Sequence, residues 1–256
     1  MQIVAGRFRH RRLETNPGDT TRPLLTRVKV SLFDRLEREL TGCRVADICS
    51  GTGTIGLEAL SRGAKGVVFF EQDSQAFELL RRNIRTLGVQ SETVTWRTDV
   101  TKCSFRPKDA DDFLPFDLIF FDPPYRHLEN MRPGTMLYRS LIRLAKPAIS
   151  APGAKLLVRC ATQTVLQLPP VWTLGERLDY SSMTIHIFVK TPGLAEVTGD
   201  DESAEAGDTP ASGEPEATGD LAPSNERPAP RAAADMRAAE HAGEREEPEA
   251  QGEDAP

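Results

Sequence analysis

The sequence predicts an α/β fold whose core is a mostly parallel sheet. Between residues 44 and 160, five apolar segments of strand length alternate with segments of helical periodicity or with loops. Such alternation is typical of parallel sheets that are covered by helices. Residues 171–180 and 183–190 follow as two strand-like segments around a short turn, which indicates an antiparallel pair that closes the sheet.

Charge divides the chain into a basic part and an acidic tail. Residues 1–190 carry 28 Lys and Arg against 20 Asp and Glu, whereas residues 191–256 carry 4 against 18. The tail has no Phe, Trp or Tyr, so it offers too little apolar surface to offset its ordering entropy, and we expect it to be disordered. The rest should form an N-terminal basic arm and helix over residues 1–40 and the sheet domain over 41–190.

Nothing in the sequence indicates a membrane segment or a metal site. No apolar run approaches the length of a membrane span, and the basic N-terminus lacks the apolar region of a signal peptide. The four cysteines form no Cys-x-x-Cys pair and have no histidine at ligand spacing. We therefore expect a cytoplasmic protein with reduced thiols, no metal and no membrane contact.

The first residues carry a cluster of arginines. Residues 2–13 alternate as in a β-strand, with Arg7, Arg9 and Arg11 on one face. These charges fit an edge strand that avoids pairing with other edges, or an arm that binds phosphate groups. Their clustering at the start of the basic part of the chain favours the arm.

A helix is predicted after this arm. Asn16-Pro17-Gly18-Asp19 is a turn signal, and Arg22-Pro23 leads into an amphipathic segment over about residues 24–40. The apolar residues of this segment form one stripe: Val28, Leu32, Phe33, Leu36 and Leu40.

A strand, a glycine turn and a helix then follow one another, as in many nucleotide-binding sites. The strand-like Arg44–Cys49 runs into Ser50-Gly51-Thr52-Gly53-Thr54-Ile55-Gly56, whose glycines let backbone N–H groups approach a ligand. Twenty residues after Gly51, Glu71 ends the next apolar strand, where an acid can bond the two hydroxyls of a ribose. Alone, this pattern fits a nicotinamide cofactor as well.

Two aspartates bear on the choice of cofactor. Asp47 precedes Gly51 by four residues and would repel a pyrophosphate, but it suits the ammonium group of S-adenosylmethionine. The alternative for Asp47 and Glu71 is helix capping or a surface ion pair. Asp99 follows the third strand, over residues 93–97, and is either an acceptor for the adenine amino group or an ordinary loop acid.

The stretch around which the chain is organised is Asp122-Pro123-Pro124-Tyr125, after the apolar strand 116–121. Two prolines end the strand and stiffen the loop at its carboxyl end, where open α/β sheets bind ligands. A carboxylate and the Pro123 carbonyl can accept the two N–H bonds of an amino group on a base, while Tyr125 stacks on the ring. This suits methyl transfer to a planar amino nitrogen; the alternative is a turn that ends the strand and exposes a surface tyrosine. His127 nearby is either a general base or a solvent-facing residue.

Together these segments resemble the RsmD family of methyltransferases, which act on guanine N2 of small-subunit ribosomal RNA. The resemblance covers about residues 2–190 and rests on Val4-Ala5-Gly6-Arg7-Phe8-Arg9, Arg22-Pro23, Arg27-Val28-Lys29, Asp47-x-x-x-Gly51-x-Gly53-x-x-Gly56-Leu57-Glu58-Ala59-Leu60-Ser61-Arg62-Gly63-Ala64, Glu71-x-Asp73 and Asp122-Pro123-Pro124-Tyr125. It implies a Rossmann-like class I methyltransferase fold, with a mostly parallel seven-stranded sheet, a C-terminal antiparallel strand, an N-terminal basic hairpin or arm and a disordered C-terminal tail.

The resemblance also implies roles for individual residues. S-adenosylmethionine would be bound by Asp47, Ser50, Gly51, Gly53, Glu71 and Asp99; the base by Asp122, Pro123, Pro124 and Tyr125; and RNA by Arg7, Arg9, Arg11, Arg12, Arg22 and Arg27. The implied target is guanine 966 of 16S ribosomal RNA, free or within an assembling 30S particle, and the implied enzyme is a monomer. The alternatives are an adenine-N6 methyltransferase of DNA or RNA and a non-catalytic ribosome-assembly factor.

Overall fold

The computed structural model describes residues 1–15, 26–108 and 110–193. The helices are α1 (Thr26–Arg35), α2 (Glu37–Leu40), α3 (Thr54–Ser61), α4 (Ser74–Leu87), α5 (Tyr125–Glu129) and α6 (Met136–Leu144). The strands are β1 (Arg44–Ile48), β2 (Gly66–Glu71), β3 (Thr93–Arg97), β4 (Phe116–Phe121), β5 (Ser150–Cys160), β6 (Trp172–Tyr180) and β7 (Met183–Lys190).

The seven strands form one sheet in the order β3-β2-β1-β4-β5-β7-β6. The first five strands in this order pair in parallel, and β7 is antiparallel to both of its neighbours. The predicted mostly parallel seven-stranded sheet with an antiparallel C-terminal strand is thus confirmed. Because successive side chains of a strand point to opposite faces, each strand contributes to two cores.

One core lies between the sheet and helices α1 to α4, and the other contains the apolar residues of α5 and α6. In β1, for example, Val45 belongs to the first core and Ala46 to the second. Ile3 and Leu13 of the arm and Phe33 of α1 are buried in the first core. Residues from the first 40 positions therefore pack on the same face of the sheet as α3 and α4.

The arm forms a hairpin, as the resemblance implies, and not one continuous strand. It contains one isolated bridge, between Gln2 and Arg12, and the chain between them turns back on itself. The N–H of Ile3 donates to the Arg11 carbonyl, and the N–H of His10 donates to the Ile3 carbonyl. A compact hairpin results because the buried ends of the arm pack inward while the turn follows the surface of α3.

The predicted helix over 24–40 is divided in two at Leu36. The backbone there stays close to helical, with φ −89° and ψ −1°, so the buried stripe continues through Leu36 and Leu40. The predicted turn at 16–19, Arg22 and the tail beyond residue 193 lie outside the described residues. Between β3 and β4, Phe105 is fully buried and packs against Phe70.

The described part of the chain contains no helix that is long and apolar enough to cross a membrane. All four cysteines lie within the described residues, and none of them forms a disulfide.

Candidate active site at the carboxyl edge of the sheet

The predicted cofactor and base residues meet where β1, β2 and β4 end. Strand β1 lies between β2 and β4, so the connections leave it in opposite directions and open a crevice at this edge. Residues 49–53 follow β1, Glu71 ends β2, and Asp122 follows β4. The Asp122 N–H donates to the Ile48 carbonyl at 3.1 Å, which ties the start of the base loop to the end of β1.

Glu71 shapes the glycine turn. Its Oε2 accepts a hydrogen bond from the Gly51 N–H at 2.6 Å, and its Oε1 accepts from the N–H groups of Gln72 and Asp73, each at 2.8 Å. Gly51 has φ +56°, and a Cβ added there would have no neighbour within 4 Å. The half-buried carboxylate is therefore held beside a turn whose outer side is open.

Asp47 lies at the bottom of this crevice and is 1% exposed. Its Oδ2 accepts from the Gly56 N–H at 2.8 Å, in the first turn of α3. The helix-capping alternative is thus observed for one oxygen, whereas Oδ1 is buried and, among the described residues, has no hydrogen-bond partner. Burial, with a smaller contribution from the charges of Asp122 and Glu71, raises the pKa of Asp47 to about 8, although the hydrogen bond from Gly56 lowers it.

A second buried polar atom lacks a partner nearby, since the Ser50 Oγ accepts and donates no hydrogen bond within the described residues. Buried polar groups are nearly always satisfied, so these two atoms indicate that a polar ligand completes the site. A cation fits Asp47 Oδ1, and a hydroxyl-bearing group fits Glu71. The residues present therefore fit S-adenosylmethionine, which carries an ammonium group and a ribose.

Asp99 lies farther along the same edge, after β3. Its Oδ1 accepts from the N–H and the hydroxyl of Thr101, at 2.9 and 2.7 Å, and its Oδ2 lies 3.8 Å from the Lys102 ammonium. These contacts order the loop after β3. They are those of a loop acid, and they leave the adenine role of Asp99 a prediction.

The base loop is extended at its second proline, Pro124. Pro123 is buried and Pro124 is exposed, with φ −50° and ψ 134°. Tyr125 begins the short helix α5 and is half-buried, and the Pro124 carbonyl accepts from the His127 N–H at 2.8 Å. The His127 side chain is exposed, which matches the solvent-facing interpretation.

Asp122 has a partner that the sequence interpretation missed. The Arg159 guanidinium contacts both carboxylate oxygens, at 2.7 and 2.6 Å. The missed signal was a single charged residue at the end of an otherwise apolar strand, Leu156-Leu157-Val158-Arg159-Cys160. Burial raises the pKa of Asp122, and the charge and hydrogen bonds of Arg159 lower it.

The N-terminal arm is fastened to α3, the helix that follows the glycine turn. Glu58 accepts from the backbone N–H groups of Val4 and Ala5, at 2.8 and 3.0 Å. The Ser61 hydroxyl donates to the Ala5 carbonyl and accepts from the Phe8 N–H. Because their side chains bind the backbone of the arm, Glu58 and Ser61 belong to the same family pattern as the arm.

The arginines of the arm lie away from the base loop. Arg7 pairs with Glu92, which precedes β3, and Arg11 donates to the carbonyl of Thr86 near the end of α4. Both contacts are at the edge where the parallel strands begin, opposite the edge where Asp122 lies. Arg9 and Arg12 are exposed, as is Arg27, whose guanidinium lies 3.4 Å from the Ser181 hydroxyl.

Comparison with known proteins identifies the chain at the level of its family. The family model described as Conserved hypothetical protein 95 matches residues 1–189. The Haemophilus influenzae protein named ribosomal RNA small subunit methyltransferase D is 30% identical over 176 residues, which cover 68% of this chain and 86% of the relative. The chain belongs to the RsmD family of methyltransferases.

Two further comparisons agree with this membership of the RsmD family. The Escherichia coli protein of the same name is 32% identical over 126 residues, covering 49% of this chain and 61% of the relative. The solved structure of yhhF from Escherichia coli, assigned as a methyltransferase, aligns with a TM-score of 0.59 and 26% identity over 74% of this chain and 97% of its own. No group of three or more potential metal ligands occurs in the described residues.

Proposed function

We propose that this protein transfers a methyl group to the N2 atom of a guanine in small-subunit ribosomal RNA. RsmD-family membership makes the protein an S-adenosylmethionine-dependent rRNA methyltransferase. The observation that carries the proposal is the convergence, at one edge of the sheet, of the buried Asp47 oxygen without a partner and the Asp122–Tyr125 loop. The first fits the cationic cofactor, and the second fits an amino group on a base.

In the proposed cofactor site, Asp47 binds the ammonium group, and Ser50, Gly51 and Gly53 line the turn. Glu71 accepts from the ribose hydroxyls, and Asp99 accepts from the adenine amino group. When bound, S-adenosylmethionine supplies an electrophilic methyl group on a sulfonium. The fixed backbone of the turn holds the cofactor so that little reorganisation is needed at the moment of reaction.

In the proposed base site, Asp122 and the Pro123 carbonyl accept the two N–H bonds of guanine N2. Pyramidalisation of the amino group frees its lone pair, which is otherwise delocalised into the ring. Tyr125 stacks on the base, and Pro124 stiffens the loop. The amine that results from methylation is acidic, so it loses its extra proton to Asp122 or to water, and no base is needed before the attack.

The proposed substrate is 16S ribosomal RNA at guanine 966, bound by a monomer in the cytoplasm, on free RNA or on an assembling 30S particle. Arg7, Arg9, Arg11 and Arg12 would contact phosphates, together with Arg27 and with Arg22, which lies outside the described residues. Because Arg7 and Arg11 lie at the opposite edge of the sheet from Asp122, the arm would bind an RNA segment remote from the target base.

The test is methyl transfer from labelled S-adenosylmethionine to small-subunit RNA, naked and protein-bound, followed by digestion to nucleosides. Label in N2-methylguanosine is the expected result, and mapping the labelled position tests guanine 966. Label in N6-methyladenosine would overturn the choice of base and keep the amino-directed chemistry. No label in either substrate, with the cofactor bound, would favour a non-catalytic assembly factor.

A further inference from the structure

Arg159 holds the Asp122 carboxylate in a two-point contact. Its Nε donates to Oδ1 at 2.7 Å, and its Nη2 lies 2.6 Å from Oδ2. Each of the two side chains is 14% exposed. Two parallel N–H···O bonds fix the plane of a carboxylate as well as its position. The group expected to receive the base is thus already oriented before any substrate binds.

The sheet places the two residues next to each other. Phe121 of β4 and Val158 of β5 are register partners, and Asp122 and Arg159 directly follow them. On its other side Arg159 pairs with Ile185 of β7, so its backbone is held by hydrogen-bonded neighbours. A group on a paired strand is positioned more precisely than one on a loop.

The Asp122 carboxylate can still accept hydrogen bonds from a substrate while Arg159 binds it. A carboxylate offers about four lone-pair sites, and Arg159 takes two of them. The remaining sites can accept from an exocyclic amino group. The Arg159 guanidinium carbon also lies 5.9 Å from the centroid of the Tyr125 ring, so it is adjacent to both side chains assigned to the base.

We propose that Arg159 is the positioning residue of the base site, which orients the Asp122 carboxylate to accept the amino N–H bonds of the target base. The inference rests on the proposed function. Arg159 acts through Asp122, and its loss leaves the cofactor site intact.

The charges around Asp122 give this role a pH signature. Arg159 faces the carboxylate from β5. Asp47, in β1, and Cys49, directly after β1, are also near it, since the charge of Asp122 raises the pKa of both. Tyr125 borders it from α5. Arg159 is the only cationic group among these, and it lowers the Asp122 pKa. When Arg159 is removed, burial raises this pKa and no cation lowers it. An acceptor must be ionised, so the acidic limb of the rate profile should move to higher pH.

The chain offers a matched control. Arg44 makes the same two-point contact with Asp117, at 3.0 and 3.0 Å, near the opposite ends of β1 and β4. We compare Arg159→Gln, Arg159→Lys and Arg44→Gln by kcat, KM, cofactor affinity and pH profile on small-subunit RNA. Arg159→Gln should lower kcat by up to about 100-fold, move the acidic limb of the pH–rate profile to higher pH and leave cofactor affinity unchanged. Arg44→Gln should change none of these quantities.

Arg159→Lys covers the case in which the glutamine variant does not fold. The lysine keeps the positive charge but cannot make two parallel hydrogen bonds to the Asp122 carboxylate. The value of kcat should therefore fall, while the acidic limb of the pH–rate profile stays near that of the wild type. If every Arg159 variant that folds gives the same kcat, KM, cofactor affinity and pH profile as Arg44→Gln, the Arg159–Asp122 pair is only structural and the proposal is wrong.

A double-mutant cycle separates positioning from an independent effect. Because Arg159 acts through Asp122, Arg159→Gln should change kcat little in an Asp122→Asn background, whereas additive losses would contradict the proposal. Wild-type enzyme is assayed first. Absence of N2-methylguanosine with wild type would remove the proposed function and this role together, whereas wild-type activity with unaffected Arg159 variants would remove this role alone.

Discussion

Lys29 and Glu58 form an ion pair of 3.0 Å whose side chains are only 1% and 0% exposed. The Lys29 ammonium also donates to the Gln2 carbonyl at 2.8 Å, and the Glu58 carboxylate binds the backbone of Val4 and Ala5. One buried pair therefore joins α1, α3 and the arm. Because α3 begins at the glycine turn, the arm and the cofactor site share a single rigid support.

Replacing Glu58 should destabilise the fold strongly. Glu58→Gln leaves the buried Lys29 charge uncompensated, which costs about 3–5 kcal/mol. The control is Glu176→Gln, which breaks the surface pair with Arg35 and should cost under ~1 kcal/mol. Urea denaturation measures both values. Equal losses of unfolding free energy in Glu58→Gln and Glu176→Gln would show that the buried Lys29–Glu58 pair does not support the arm.

Replacing Gly6 should detach the arm from α3. A Cβ at Gly6 would lie 1.9 Å from the Ser61 carbonyl oxygen, so Gly6→Ala must displace the chain. Gly42→Ala is the control, because Gly42 has nearly the same φ, +76° against +78°, but open space around it. RNA affinity should fall only in Gly6→Ala, with cofactor affinity unchanged in both. Equal RNA affinity in the two variants would contradict an RNA-binding arm.

Asp47→Asn should change how stability depends on pH. The folded-state pKa of about 8 exceeds the ordinary value of 3.8, so ionisation is disfavoured in the folded state and wild-type stability declines as pH rises from about 4 to 8. The variant lacks this decline while it keeps an acceptor for Gly56. Its Tm relative to wild type should therefore be higher at pH 8 than at pH 5, although cofactor binding is lost. A difference independent of pH would refute the assignment.

Asp122→Asn should slow methyl transfer without weakening cofactor binding. The amide keeps the size of the side chain but loses the charge and one acceptor, so kcat should fall by roughly 100-fold or more. Asp117→Asn, at the other end of β4, is the matched control. Turnover and calorimetry separate the two effects. A parallel collapse of cofactor affinity would place Asp122 in the wrong site.

The arm arginines should contribute to the salt dependence of RNA binding. Replacing Arg7, Arg9 and Arg11 with Ala removes three proposed phosphate contacts, which should reduce the slope of log K against log salt by roughly 2. The control replaces Arg35 and Arg38, which lie on the surface of α1 and α2. If the slope of log K against log salt is the same in both variants, the arm does not contact the RNA.

Local patterns in the sequence predicted much of the fold and the cofactor turn. The parallel strands were visible because they are segments of strand length, most of them apolar, that alternate with helices and loops, and Gly88 marks the end of α4. The alternating pattern of the arm did not reveal where the chain folds back. Its turn depends on contacts with Glu58 and Ser61, more than fifty residues away.

The sequence by itself determined the sheet, the family and the chemical groups at its edge, since strand length, turn residues and motif spacing are local properties. The tertiary structure alone decided which groups meet. Arg159 reaches Asp122 only through the register of β4 and β5, and the raised pKa of Asp47 comes mainly from its burial. Burial and register depend on packing between distant segments, which no local pattern contains.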